Sequence, residues 1–267
     1  MNNRRPFKTG NPALNEKIFE DTARSGGLYT EGTGTSPVES GATMTMGGTI
    51  AKIYFLLAIV IACCAVTWHF AFASASGVES IFPFVIGGSL VGLVLAIIIC
   101  FNPKSAPIIA PFYAAFEGLA IGGYSAYFEA SYPGVVMQAA GLTVCVFLAM
   151  LLAYTSRIIK VTEKFKMGVV GATFGIMIFY MISMLSSAFF GMSIPLIHDT
   201  GIMGIGLSLF VVAIAALNLV LDFDFISVGV ARKAPKNLEW YAAFGLMVTL
   251  IWLYIEVLRL VSKLQKR

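Results

Sequence analysis

Residues 84–101 read FVIGGSLVGLVLAIIICF, eighteen consecutive residues without a charged side chain. At 1.5 Å per residue, a helix of this length covers about 27 Å, close to the roughly 30 Å hydrocarbon core of a bilayer. A helix also satisfies its own backbone hydrogen bonds, which lipid cannot do. This stretch therefore predicts a transmembrane helix.

Six further apolar runs of similar length accompany it. The seven predicted spans are Ile50–Ala73, Ile81–Phe101, Ala106–Phe128, Val135–Tyr154, Met167–Phe190, Gly201–Asp222 and Leu238–Leu260. They predict an all-α fold, a polytopic membrane protein built as a seven-transmembrane-helix bundle. The polar residues before them are rich in Gly, Ser and Thr, so we expect a flexible N-terminal tail at 1–48 and a transmembrane domain at 49–267.

The composition excludes several classes of function. Apolar residues make up 58% of the chain and charged residues only 12%, with a mean hydropathy of +0.85, whereas soluble domains carry about 25% charged residues. Lys and Arg lie almost entirely between the apolar runs and form no basic patch, so no nucleic-acid partner is expected. No HExxH, GxSxG or Walker A motif is present, and we therefore expect neither an enzyme nor a cofactor.

Basic residues alternate along the connections between the spans. They occur before the first span and in the second, fourth and sixth connections, but not in the first and third; the fifth holds only His198 and Asp199. The positive-inside rule then places the N-terminus and the even connections in the cytoplasm. Arg259 and Lys263 near the end of the chain break the pattern. The seventh span either crosses against the rule or dips in and returns, and we expect it to cross.

Glu117 lies near the middle of the third predicted span. A carboxylate at the bilayer centre costs about 2.5–3.5 kcal/mol on insertion scales, so such residues usually face a cavity or a partner. Tyr113, Glu117, Tyr124 and Ser125 fall close to one helix face and form a polar stripe. Either Glu117 belongs to an ion pathway, or it is a protonated side chain that bonds to a neighbouring helix.

Asp222 and Asp224 close the sixth predicted span. Asn218 and Asp222 are one turn apart and share a face, whereas Asp224 lies about 200° round the helix from Asp222. We expect one carboxylate to face the bundle and the other to reach cytoplasmic water or the basic connection at Arg232 and Lys233. The alternative is that both are interfacial charges at a helix end.

Charges on the seventh predicted span have simpler explanations. Glu239 begins it, where the helix dipole favours an acid. Glu256 and Arg259 are three residues apart near its other end, and pairing at the outer interface accounts for them.

Three pairs of glycines recur four residues apart within the spans. They are Gly88 with Gly92, Gly118 with Gly122, and Gly171 with Gly175. Small residues at this spacing let helix backbones approach closely. We interpret them as packing sites inside the bundle and not as dimer motifs.

Four segments of the chain together resemble the Bax inhibitor family, the transmembrane Bax inhibitor motif proteins, and specifically its bacterial branch. They are Asn11-Pro-Ala-Leu, the stretch APIIAPFYAAFEG at 106–118, Leu219–Ile226, and the seventh span from Glu239-Trp-Tyr-Ala-Ala-Phe-Gly to Leu253-Tyr-Ile-Glu-Val-Leu-Arg-Leu. The resemblance covers roughly residues 45–265. It implies a central helix surrounded by the others, in a bacterial plasma (inner) membrane.

The resemblance also implies a pH-sensitive calcium leak controlled by two carboxylates on the last two helices. Asp222 matches the first position of that pair. The second position falls on Glu256 in one match and on Thr249, which has no carboxylate, in another. Glu256 lies about 27 Å along its helix from Leu238, too far in depth to share a proton with Asp222, so Asp224 or Glu117 are alternative partners.

We therefore predict a calcium leak channel gated by protonation of intramembrane carboxylates. Calcium prefers oxygen ligands, and Asp222 and Glu117 are the candidate ligands. Burial raises the pKa of carboxyl groups in general, so protons are expected to act as the second ionic partner. The alternative is a non-transporting regulator in the bilayer that binds a membrane protease or another membrane protein. A secondary transporter is disfavoured because no inverted repeat is evident.

Overall fold

A computed structural model describes residues 43–73, 77–190 and 199–266 of the chain. Its long helices are α1 (Met46–Ala73), α2 (Phe82–Phe101), α3 (Ala106–Ser131), α4 (Val135–Thr155), α5 (Glu163–Phe190), α6 (Ile202–Ala231) and α7 (Leu238–Gln265). Within these ranges, all seven helices are long and apolar enough to cross a membrane. The chain is thus a multi-pass α-helical membrane protein, as the apolar runs predict. The predicted tail lies almost entirely outside the described residues.

Helix α7 is the centre of the bundle. It packs against α1, α3, α4 and α6, and its residues 241–247 are all buried. Helices α1, α2 and α3 form a group on one side, whereas α5 packs mainly against α6 and is the least buried of the described spans. The central helix implied by the family resemblance is confirmed.

Contacts along α7 fix the direction of its neighbours. Tyr113 packs edge-on against Phe244 with ring centroids 5.0 Å apart, and the hydroxyl groups of Ser125 and Tyr254 are 2.7 Å apart, so α3 and α7 run in the same direction. Helix α7 has 28 residues and no break, which gives about 42 Å of length. It therefore crosses the bundle completely and does not dip and return. We call the side where α1 and α7 begin the N-terminal face, and the opposite side the far face.

Helix α6 is longer than the apolar run predicted. It continues from Asp222 to Ala231, so the two aspartates lie within the helix and not at its end. The prediction of a span ending at Asp222 was wrong. Hydropathy identifies side chains that face lipid, whereas a helix continues through polar turns when neighbouring helices bury them. Here Phe225 and Ile226 are buried in the main core.

Close helix packing explains two of the three glycine pairs. A Cβ atom on Gly88 would lie 2.6 Å from the backbone oxygen of Phe116, and one on Gly118 would lie 2.6 Å from that of Val60. These glycines let α3 approach α2 and α1, as small residues do in membrane bundles. Added Cβ atoms on Gly171 and Gly175 would meet nothing within 4 Å, so the packing interpretation fails for the pair in α5.

Glu239 joins the start of α7 to the start of α1. Its carboxylate is fully buried, forms an ion pair with Lys52, and accepts hydrogen bonds from the backbone N–H and the hydroxyl of Thr45 at 2.8 and 3.0 Å. The N–H of Met44 also donates to the backbone oxygen of Ala234 at 2.7 Å. The helix dipole is therefore an incomplete explanation of Glu239, which holds two helices together.

Candidate ion pathway

The two aspartates of α6 lie in different environments, as their angular separation predicts. Asp222 is 1% exposed, whereas the side chain of Asp224 is 17% exposed. Asp224 forms a 3.1 Å ion pair with Lys166 of α5, and Lys166 also lies 3.8 Å from Glu163. Asp222 is thus the carboxylate inside the bundle, and Asp224 ties α6 to the first turn of α5.

Asn218 of α6 contacts α5. Its amide donates a 2.8 Å hydrogen bond to the hydroxyl of Thr173 in α5 and a 2.9 Å bond to the backbone oxygen of Ile214. Asn218 and Asp222 are one turn apart and share a face. Asn218 thus places α5 beside this part of α6, one turn from Asp222. We call the surface that α5 shares with α6 and α7 the α5 interface.

An apolar layer follows the polar residues toward the far face. Ile176 of α5 packs against Val211 and Ile214 of α6 in a separate buried cluster, with Tyr180 and Trp252 at its edge. Such a layer excludes water, and hydrophobic constrictions of this kind close membrane pores by dewetting. The α5 interface is therefore polar near the N-terminal face and dry in its middle.

Beyond the dry layer lies a charged cluster in which Glu256 is buried and Arg259 is partly exposed. Glu256 is 1% exposed and accepts hydrogen bonds from Arg259 at 3.3 and 3.4 Å and from the hydroxyl of Tyr180 at 3.1 Å. Arg259 also donates to Tyr180 at 2.9 Å. The predicted Glu256–Arg259 pair is confirmed, and Tyr180 of α5 contacts both of its members.

The antiparallel pairing of α6 and α7 gives a scale for depth. Lys263 of α7 donates to the backbone oxygen of Gly204 at 3.0 Å and to the hydroxyl of Ser208 at 2.8 Å. Lys263 lies 25 residues after Leu238, the first residue of α7. Gly204 and Ser208 lie on either side of Gly206, which is 25 residues before Ala231, the last residue of α6. Residues equally far from the α6–α7 turn therefore lie at equal depth.

This scale separates the two acids of the last two helices. Asp222 is nine residues before the end of α6 and lies level with Met247, close to Thr249; Glu256 is eighteen residues after Leu238. The nine-residue difference corresponds to about 14 Å of depth. Thr249 itself donates to the backbone oxygen of Gly245 at 3.2 Å. Asp222 and Glu256 thus form two separate sites and not one proton-sharing pair.

Glu117 lies at another helix interface. A Cβ atom on Gly92 of α2 would lie 2.6 Å from the Glu117 carboxylate, which shows that this side chain occupies the space left by the glycine. Glu117 is about 16 Å along α3 from Ala106, a depth similar to that of Asp222. The α2–α3 contact and the α5 interface lie on different sides of the bundle, so Glu117 and Asp222 are not brought together there.

A cavity opens at the N-terminal face beside Asp224. It measures about 500 Å³ and is lined by Tyr154, Thr155, Arg157, Ile159, Lys160, Val161 and Asp224. Asp224, one of its lining residues, is the partner of Lys166 of α5. Among the described residues, no cluster of three or more His, Cys, Asp or Glu side chains forms a metal site.

Several residues of this interface were missed by sequence reasoning. Lys166 and Lys263 were counted only as charges that set orientation, and Thr173 and Tyr180 were not singled out. Their spacing is a usable signal, because positions 166, 169, 173, 176 and 180 recur every three or four residues on one face of α5. Sequence reasoning missed them because the side of α5 that faces lipid and the side that faces α6 and α7 have similar hydropathy.

A family model described as Bax inhibitor 1 like matches residues 11–266, nearly the whole chain. Comparison with curated proteins and with solved structures gives no match. The matched range covers all seven helices and both aspartates of α6. The chain belongs to the Bax inhibitor 1 like family.

Proposed function

We propose that this protein is a cation leak channel, with calcium as the principal ion, and that protonation of Asp222 gates it. The proposal rests on the order of the layers along the α5 interface, where an apolar layer lies between two polar layers. Carboxylates at membrane depth are costly unless they face a cavity or a partner. Asp222 is almost fully buried and lies one turn from Asn218, which contacts α5.

Helix α5 is the element that we expect to move. It is the least buried of the described spans, and it makes polar contacts on both sides of the apolar layer around Ile176. These contacts join Lys166 to Asp224, Thr173 to Asn218, and Tyr180 to Glu256 and Arg259. Polar contacts can be exchanged for water at little net cost. A small displacement of α5 would let water enter the layer around Ile176 and connect the two polar ends.

The sign of the pH response follows from hydration. An ionised Asp222 favours the hydrated interface, because a charge without water or a counter-ion is expensive in a dry interior. A neutral Asp222 favours the dry, closed interface. Flux should therefore rise as pH rises. The ionised carboxylate also supplies the oxygen ligands that calcium prefers.

The basic residues of the N-terminal face support an orientation for this pathway. Lys104, Arg157, Lys160 and Lys236 lie in its connections. We place this face in the cytoplasm by the positive-inside rule. The cavity beside Asp224 is then the cytoplasmic mouth.

Calcium flux from proteoliposomes tests the proposal. The full chain is reconstituted with a calcium indicator inside the vesicles, and uptake is measured as external pH is stepped from acid to neutral. We expect uptake that increases with pH and that Asp222→Asn holds at the acid level at every pH. Uptake no faster than in protein-free vesicles would reject the channel and leave the non-transporting regulator as the better account.

A further inference from the structure

Two basic side chains line the cavity beside Asp224 without an acidic partner. Arg157 and Lys160 belong to the connection between α4 and α5, and both are exposed. Among the residues that the structure describes, neither side chain forms an ion pair. The one acid of the cavity lining does not neutralise them, because Asp224 pairs with Lys166 at 3.1 Å. The lining of the cavity is therefore positively charged.

Apolar side chains beside the two cations place the cavity at the edge of the hydrocarbon layer. Ile158, between the two cations in sequence, is 79% exposed, and Leu152 in the last turn of α4 is 67% exposed. Ile159 and Val161 line the cavity itself. Exposed aliphatic side chains of a membrane protein are stable where lipid covers them. The cavity thus lies where the apolar surface of the bundle meets its basic connections, which is the depth of lipid headgroups.

The backbone holds Arg157 in a conformation that is unfavourable for any residue with a side chain. Its φ is +57°, in the left-handed region. The turn is closed by the N–H of Arg157, which donates to the backbone oxygen of Tyr154 at 3.0 Å, and by that of Ile159, which donates to Ala153 at 3.2 Å. A glycine would adopt this φ without strain. The turn itself therefore does not require an arginine.

We propose that the cavity beside Asp224 binds the phosphate group of an anionic phospholipid, with Arg157 and Lys160 as its ligands. The fork of an arginine matches two phosphate oxygens, and a lysine adds a point charge. Basic pockets of this kind at the cytoplasmic ends of transmembrane helices bind anionic lipid headgroups. The cavity, at about 500 Å³, has room for a headgroup. The acyl chains lie along Leu152 and Ile158.

A bound phosphate also removes an electrostatic conflict at the cytoplasmic mouth of the proposed pathway. Two unpaired cations in the mouth repel any cation that approaches. An anionic headgroup neutralises them and leaves the carboxylate of Asp224 as the nearest charge to an entering ion. This effect on flux rests on the proposed function, whereas binding of the lipid does not.

A role in orientation alone is a weaker explanation of the two cations. The positive-inside rule requires only that basic residues lie on one side of the membrane. Lys164 and Lys236 meet that requirement on the same face, and neither of them lines the cavity. The rule therefore does not explain why Arg157 and Lys160 share one cavity.

Native mass spectrometry tests the site by counting the lipids that the full chain retains. The protein in a non-ionic detergent is mixed with equal amounts of dioleoyl phosphatidylglycerol and dioleoyl phosphatidylcholine. We expect the natural chain to retain a single phosphatidylglycerol, and Arg157→Gly/Lys160→Gln to retain about tenfold less, because each cation near a lipid surface strengthens binding several-fold. The glycine relieves the positive φ at position 157, so this variant should fold as well as the natural chain.

Lys164→Gln/Lys236→Gln is the matched control, because it removes two exposed charges from the same face outside the cavity. It should retain phosphatidylglycerol as the natural chain does. Equal losses in the two double variants would overturn the proposal, since the charge of the whole face would then attract the lipid.

Inorganic phosphate distinguishes a lipid from a free anion. At millimolar concentration it should leave the phosphatidylglycerol bound, and release of the lipid would show that the cavity takes a soluble anion instead, against the proposal. Retention of phosphatidylglycerol with no calcium flux in any variant would keep the site and reject the channel. Calcium flux without a preference for phosphatidylglycerol would reject the site alone.

Discussion

Lys52 of α1 and Glu239 of α7 form an ion pair at the N-terminal face, and the Lys52 ammonium also lies 5.5 Å from the centre of the Trp240 ring. Glu239 is fully buried, whereas the Lys52 side chain is 16% exposed. This contact joins the first helix to the first turn of the central helix. It therefore fixes where α7 begins relative to the rest of the bundle.

Replacing Lys52 with Gln should destabilise the protein, since it leaves a buried carboxylate with only the Thr45 hydrogen bonds. Loss of one partner from a buried pair costs about 3–5 kcal/mol, and partial exposure of Lys52 reduces our expectation to about 2 kcal/mol. Thermal unfolding in detergent, followed by tryptophan fluorescence, should show a lower midpoint. Lys164→Gln removes an exposed charge from the same face and should unfold with the natural chain. Equal midpoints for the two variants would contradict this role of the pair.

Adding one methyl group should distinguish the packed glycines from the exposed ones. Gly118→Ala places a Cβ atom 2.6 Å from the backbone oxygen of Val60, so α1 and α3 must separate. Overpacking of this kind costs about 1–3 kcal/mol. Gly171→Ala in α5 meets no atom within 4 Å and should be neutral or slightly stabilising, because Ala favours a helix. The measurement is again the unfolding midpoint, and a similar loss in both variants would show that the contact at Val60 does not matter.

The sequence predicts the existence of the seven helices well, because a lipid-length apolar run has few alternative structures. It predicts the end of α6 poorly, since Asp222 ends the apolar run while Phe225 and Ile226 continue the buried helix. Hydropathy reports the polarity of side chains, and the neighbours that bury a polar turn are distant in sequence.

The same limit applies to the candidate site. The opposite orientations of Asp222 and Asp224 follow from helix geometry alone and are confirmed. The burial of Glu256 does not follow from its own helix, because Tyr180, 76 residues earlier in the chain, covers it. A local pattern cannot identify such a partner.

A reversible cross-link across the α5 interface should stop calcium flux if α5 moves. The Asn218 amide and the Thr173 hydroxyl are 2.8 Å apart, so cysteines at these positions face each other across the interface. In a background with Cys63, Cys64, Cys100 and Cys145 replaced by serine, Thr173→Cys/Asn218→Cys should lose flux on oxidation and regain it on reduction. Thr173→Cys alone is the control and should respond to neither treatment. Full flux through the oxidised double variant would place the moving part elsewhere.

Comparison of Asp222 and Glu117, two acids at similar depth, shows which interface carries the ions. Asp222→Asn should abolish the rise of calcium flux with pH, because the amide stays neutral and keeps the α5 interface dry. Glu117→Gln changes the same functional group at the α2–α3 contact, where the side chain fills the space beside Gly92. We expect it to leave the pH profile of flux unchanged and to alter only the unfolding midpoint. If Glu117→Gln flattens the profile while Asp222→Asn preserves it, the ions pass between α2 and α3, because hydration of the acid that lines the pathway is what couples pH to opening.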